Sequence, residues 1–171
     1  MVVTIRDAMV ADAHAIAEVH VASWRWAYRD LLPEAVLVGL SVDARAEMWS
    51  SLLGDPDERS VVLVAVEDAA VVGFASAGPS RDSDAPGWEA EVFSLYLVEH
   101  VTGRGLGREL FAALAAALRD RGFERATLWV LEANERTRRF YEAAGWRLDG
   151  GHDRYEIEGR GYPELRYAAS L

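Results

Sequence analysis

The chain contains no cysteine and no lysine. The first absence excludes disulfides, thiolate metal sites and a thiol nucleophile, and it fits a reducing compartment. The second makes all 18 basic residues arginine, so attention falls on where the arginines gather. No apolar run approaches the roughly 20 residues that a membrane helix needs. The opening stretch, MVVTIRDAMVADA, has no basic segment followed by an apolar one and does not read as a secretory signal; a cytoplasmic protein without membrane contact is expected. The four histidines, His14, His20, His100 and His152, show no metal-ligand spacing, and no metal is expected. Excess positive charge is also missing. The formal net charge of −10 disfavours nucleic acid as a partner, whereas an acidic field concentrates cationic ligands such as amines.

What remains is an ordinary globular composition. A chain of 171 residues suits one domain, 1–171, with a good core, and no repeat, low-complexity tract or linker divides it. Val2–Arg6 reads as a first strand and Asp12 to about Arg29 as a helix ending in aromatic residues. Pro33 starts another helical piece that Val42–Leu53 continues. Val61–Val66 and Val71–Ala77 are a hairpin pair, and Gly78–Gly87 is a polar loop rich in breakers. Glu89–Val98 and Ala126–Leu131 are strands, with a helix between them. Glu135–Ala144 is a helix capped by Asn134 and closed by Gly145. Trp146–Leu148, a piece near Arg154–Ile157, and Glu164–Ala168 are extended. Periodicity alone predicts an α/β (α+β) protein with a partly parallel sheet.

The stretch Val92–Leu118 organises the rest. Phe93, Leu95 and Leu97 alternate with Ser94 and Tyr96, the period of a strand. Leu106, Leu110, Leu114 and Leu118 then recur every fourth residue, the stripe of an amphipathic helix. Between them lies Thr102-Gly103-Arg104-Gly105-Leu106-Gly107-Arg108. Glycines permit positive φ and close approach of a ligand, and the turn feeds its amides into a helix N-terminus, which favours anions. Arg104 and Arg108 add charge for a phosphate; Arg136, Arg138 and Arg139 form a second basic island. The competing reading is a tight turn without a ligand. No Gly-Lys-Ser/Thr follows, so this is not a Walker loop, and the glycine spacing is not that of a dinucleotide-binding turn.

Leu95-Tyr96-Leu97 followed by this glycine turn resembles the acyl-CoA loop of the GNAT superfamily of N-acetyltransferases, whose pattern is Gln/Arg-x-x-Gly-x-Gly/Ala. Gly105 and Gly107 match, Gly103 matches a common form, and Thr102 stands where Gln or Arg is usual. A second element agrees: Leu128-Trp129-Val130, then Asn134, Tyr141 seven residues on, and the Gly145-Trp146 pair. The resemblance implies a mixed, about seven-stranded central sheet with a splay between the fourth and fifth strands, flanked by about four helices. It further implies acetyl-CoA as co-substrate, held by Leu95, Tyr96, Leu97, Gly103, Arg104, Gly105, Leu106, Gly107, Arg108 and Asn134. Tyr141 is the expected general acid toward the sulfur, and Glu91, which precedes the glycine turn on its own strand where some members of the family place a base glutamate, is the expected general base; another common base position falls on Trp129, which cannot serve. The acceptor, a primary amine of a small molecule or peptide, is expected near Trp24, Tyr28 and Glu89, where aromatic rings and carboxylates suit a cation. A homodimer is common in such proteins. A non-catalytic acyl-CoA-binding regulatory module and a nucleotide-binding α/β protein are the alternatives to the enzyme.

Overall fold

The computed structural model describes residues 3–171. Among the described residues, seven strands form one mixed sheet in the order β1-β2-β3-β4-β5-β7-β6. They are β1 (Val3–Asp7), β2 (Val61–Glu67), β3 (Ala70–Pro79), β4 (Glu89–Leu97), β5 (Arg125–Leu131), β6 (Arg147–Ile157) and β7 (Arg160–Ser170). The helices are α1 (Ala13–Ala27), α2 (Glu34–Val38), α3 (Val42–Gly54), α4 (Leu106–Asp120) and α5 (Glu135–Ala143).

Both sheet faces are covered, which explains the near-continuous apolar run of β2. Val61 and Leu63 face the α4 side, in one cluster with Leu110, Leu114 and Leu118. Val64 faces the other side, with Ile16 of α1 and Trp49 of α3. The leucine stripe of α4 is fully used: Leu106, Leu110, Leu114 and Leu118 are all buried. Five α-helices appear among the described residues, one more than expected. The helical pattern from Pro33 breaks at Gly39–Ser41, where Ser41 is extended and its hydroxyl accepts the Ala44 amide at 3.2 Å. That N-cap starts α3 afresh.

Two further boundaries differ from the sequence expectation. The first strand runs Val3–Asp7, Val2 lying outside the described residues. The two short extended pieces after Gly145 are one strand, β6, whose register with β7 shifts between Leu148 and His152. Gly150, at φ 90°, sits in that irregularity and makes one strand look like two in sequence.

The decisive feature lies between β4 and β5. They run parallel and pair only at Glu89–Arg125, Ala90–Ala126 and Glu91–Thr127. Beyond Glu91, β4 stays with β3 and β5 stays with β7. Ser76 pairs with Ser94 but Ala77 with Val92, so Phe93 is an extra residue in β4. Such a bulge bends its strand, and the two strands separate just past it.

Candidate functional site

The wedge between β4 and β5 opens into a cleft of ≈ 1390 Å³. Its walls are β4 from Glu91 to Leu97, β5 from Leu128 to Leu131, the glycine turn, α5 and the end of α1.

At the mouth, Gly103 and Gly105 adopt φ of 77° and 89°, a region that side chains resist. The space where their Cβ atoms would stand is open. None of the amides from Gly103 to Gly107 donates to another group among the described residues. The Arg108 amide does, to the Gly105 carbonyl at 2.9 Å, so the free set is one residue shorter than the sequence suggests. Unengaged amides at the head of a 15-residue helix have the geometry that suits an anion. The side chains divide. Arg108 lines the cleft. Arg104 does not; it donates to Glu67 at 2.6 Å, and the guanidinium holds the Glu67 carboxyl below its usual range. Leu106 turns inward to pack with Ala65, Val72 and Val101. Neither side chain faces the site expected of it, because a buried strand-end carboxylate captures one and the core captures the other.

Along β4, Leu95, Tyr96 and Leu97 all line the cleft. The Val98 amide donates to Val72 of β3 at 3.0 Å. In an antiparallel ladder the bonding direction alternates, so the amides of Leu95 and Leu97 turn to the opposite edge, where β5 has left.

Across the wedge, Tyr141 of α5 is 7% exposed and packed against Phe111, Phe140 and Trp146. It belongs to the core and lines the cleft at once. Burial, reinforced by Tyr96, holds its phenol well above its usual pKa. Asn134 also lines the cleft. Its Oδ1 accepts the Thr137 amide at 3.2 Å, capping α5, while its Nδ2 makes no bond among the described residues.

The other end of the cleft is aromatic and acidic. Trp24 and Tyr28 line it, ring centroids 4.8 Å apart, and the Trp24 indole N–H is buried without a hydrogen-bond partner among the described residues. Glu89 is not there. It is 4% exposed and ion-paired to Arg125, a structural pair at the start of β4, which corrects its assignment to the acceptor. Glu91 does line the cleft, but its carboxylate is taken up by Arg81: Oε2 accepts the Arg81 amide at 3.1 Å and Nε at 3.2 Å. Trp129 donates through Nε1 to Asp82 at 3.3 Å.

Sequence reasoning missed Arg81, Tyr155 and Glu164, all of which line the cleft. Glu164 had one usable signal. It alternates with Leu165 and Tyr167, which are buried on the α4 side, so strand period alone sends Glu164 to the α1 side. No short motif marks it.

The comparisons with known proteins agree with this geometry. A family model described as Acetyltransferase (GNAT) family matches residues 14–146. The uncharacterized N-acetyltransferase YuaI of Bacillus subtilis is 36% identical over 132 residues, covering 77% of this chain and 73% of its own. Among solved structures, the PaiA N-acetyltransferase of Thermoplasma acidophilum, in complex with coenzyme A, superposes with a TM-score of 0.75 at 19% identity over 100% of both chains. YncA of Salmonella typhimurium, a putative acetyltransferase with its cofactor acetyl-CoA, does so with a TM-score of 0.75 at 23% identity over 100% of this chain and 95% of that one.

Proposed function

The chain belongs to the GNAT acetyltransferase family and is an N-acetyltransferase, and from that premise we propose that it moves the acetyl group of acetyl-CoA to a primary amine of a small molecule or peptide by direct attack on the thioester. The observation that carries this reading is the run of unengaged amides from Gly103 to Gly107 at the mouth of a wedge that Tyr141 lines farther in. Those amides, with Arg108, suit a diphosphate. The open edge of β4 suits an extended amide-bearing arm, and Asn134 Nδ2 supplies one donor to it.

Each chemical task then has a local group. The amides of Leu95 and Leu97 are oriented to stabilise the oxyanion that forms on the thioester carbonyl, a role in which fixed donors contribute several kcal/mol. Tyr141, its pKa raised by burial, is the group that donates a proton to the departing sulfur. Trp24, Tyr28 and Tyr155 offer ring faces to a cationic acceptor.

Thermal shift with acetyl-CoA, coenzyme A and ATP, followed by thiol release across a panel of amines, tests the reading. Stabilisation by both coenzyme A species and amine-dependent thiol release are expected. Stabilisation by ATP alone, or no thiol release with any amine, would sink it.

A further inference from the structure

We propose that Glu164, and not Glu91, is the carboxylate that docks the acceptor ammonium and removes its proton. This rests on the acetyl-transfer reading above and deepens it. Six carboxylates line the cleft: Asp30, Asp82, Glu91, Glu135, Asp153 and Glu164. Asp82 is paired with Arg166, Glu91 with Arg81 and Glu135 with Arg139. Asp30 lies 3.8 Å from Arg29, and Asp153 accepts the Arg154 amide. Glu164 alone has neither a hydrogen-bond donor nor a cation among the described residues. An unpaired carboxylate in a half-buried cleft is costly to keep, and a cationic ligand relieves that cost.

Its position suits the task. Glu164 stands on β7 opposite Leu131 of β5 and Asp153 of β6, on the sheet face that carries α1. The charged and titratable groups around it are Asp153 of β6, Glu91 of β4 and Tyr28 at the end of α1. The nearby cations, Arg81 and Arg166, are held by Glu91 and by Asp82 with Asp149. Burial first, then repulsion from Asp153 and Glu91, pushes the Glu164 carboxyl up to about 7, near the value best suited to a base at neutral pH. Tyr28 feels both Glu164 and Tyr141, so the proton-accepting and proton-donating ends of the site share a neighbour. Glu91 has no such freedom, since the guanidinium and amide of Arg81 occupy both of its oxygens.

The step balances. The Glu164 carboxylate takes one proton from R–NH₃⁺. The freed nitrogen lone pair forms the C–N bond at the thioester carbon, and the C–S bonding pair leaves on sulfur. Tyr141 protonates that sulfur and regains a proton from the nitrogen as the amide forms. Glu164 then releases its proton to solvent.

The test is the pH profile of kcat/KM for the wild type, Glu164→Gln and Glu91→Gln with an amine that releases thiol, alongside coenzyme A affinity and melting temperature. The wild type is expected to lose activity about tenfold per pH unit below about 7, following its base. Glu164→Gln is expected to fall at least about 100-fold at pH 7.5, to lose that acidic limb, and to bind coenzyme A as before. It should also melt above the wild type at pH 8, by a margin that closes as pH falls below about 4.5. Folding raises the Glu164 pKa, so the wild type loses stability as pH rises from about 4.5 to about 7, and the glutamine does not. Glu91→Gln should keep the limb. Glu164→Gln with turnover within about threefold of wild type, or a limb lost in Glu91→Gln and kept in Glu164→Gln, overturns the assignment. Wild type that releases no thiol with any amine sinks the acetyl-transfer reading itself, and equal melting of Glu164→Gln and wild type at pH 8 then overturns the strained carboxylate as well.

Discussion

Arg81 reaches Glu91 through two routes at once: its backbone amide and its Nε both donate to Oε2, at 3.1 and 3.2 Å. Its guanidinium also lies over the Phe93 ring, 4.3 Å from the centroid. The pair therefore ties the loop after β3 to the point where β4 bulges and leaves β5. Glu91 is 5% exposed at its side chain and Arg81 69%, so solvent screens one end and leaves the other needing a partner. Glu91→Gln keeps the shape and removes the charge. It is expected to cost about 1 kcal/mol and to lower the melting temperature by about 3 °C. Differential scanning calorimetry checks this. A melting temperature within about 1 °C of the wild type would mean that the pair contributes little to stability.

Tyr141 is held by Phe111, Phe140 and Trp146, so removing only its hydroxyl leaves the packing intact. Tyr141→Phe is expected to lower kcat about 100-fold, within the range of a lost general acid, while coenzyme A affinity and melting temperature change little. Single-turnover kinetics with isothermal titration separates the two quantities. Unchanged kcat would remove the phenol from the reaction.

Much of this was legible in the chain. The leucine stripe of α4, the alternation of β4, the Asn134 cap and the Gly145 stop each rest on local rules, and the structure obeys them. The splay was legible only through resemblance, because a bulge at Phe93 leaves no mark in the alternation of Val92–Leu97. The acceptor end was hardest to read. Glu89 and Glu91 have the same sequence signature, yet Arg125 captures one and Arg81 the other. Both partners lie far along the chain or in an irregular loop, where sequence spacing carries no information. Arg104 failed for the same reason, since its partner Glu67 lies 37 residues away.

That partnership makes the two loop arginines separable. Arg108 lines the cleft, and Arg104 is turned to Glu67. Arg108→Ala is expected to weaken coenzyme A binding about tenfold, the loss of roughly one charge-assisted contact. Arg104→Ala is expected to change it less than about twofold. Titration calorimetry of both variants decides this, and equal losses would mean that Arg104 leaves Glu67 when ligand binds.

His20 stacks on Tyr96, ring centroids 5.4 Å apart, and its Nδ1 accepts the Trp49 indole N–H at 3.2 Å. Burial, with help from Arg45, lowers its pKa from 6.5 to about 4. The native state thus keeps it neutral where the unfolded chain has already protonated it. Between pH 6.5 and about 4 the unfolded state binds more protons, so stability falls as pH falls and levels off below that window. The full contribution is about 3 kcal/mol. Because Tyr96 lines the cleft, its stacking partner also steadies one wall of the site. His20→Gln supplies an acceptor for Trp49 that does not titrate in this range. Urea midpoints at pH 7.5 and 4.5 are expected to drop further for the wild type than for the variant. Other acid-sensitive pairs, such as Arg6 with Asp12, act equally in both proteins and cancel in the comparison, so parallel losses would show that His20 is protonated inside the fold.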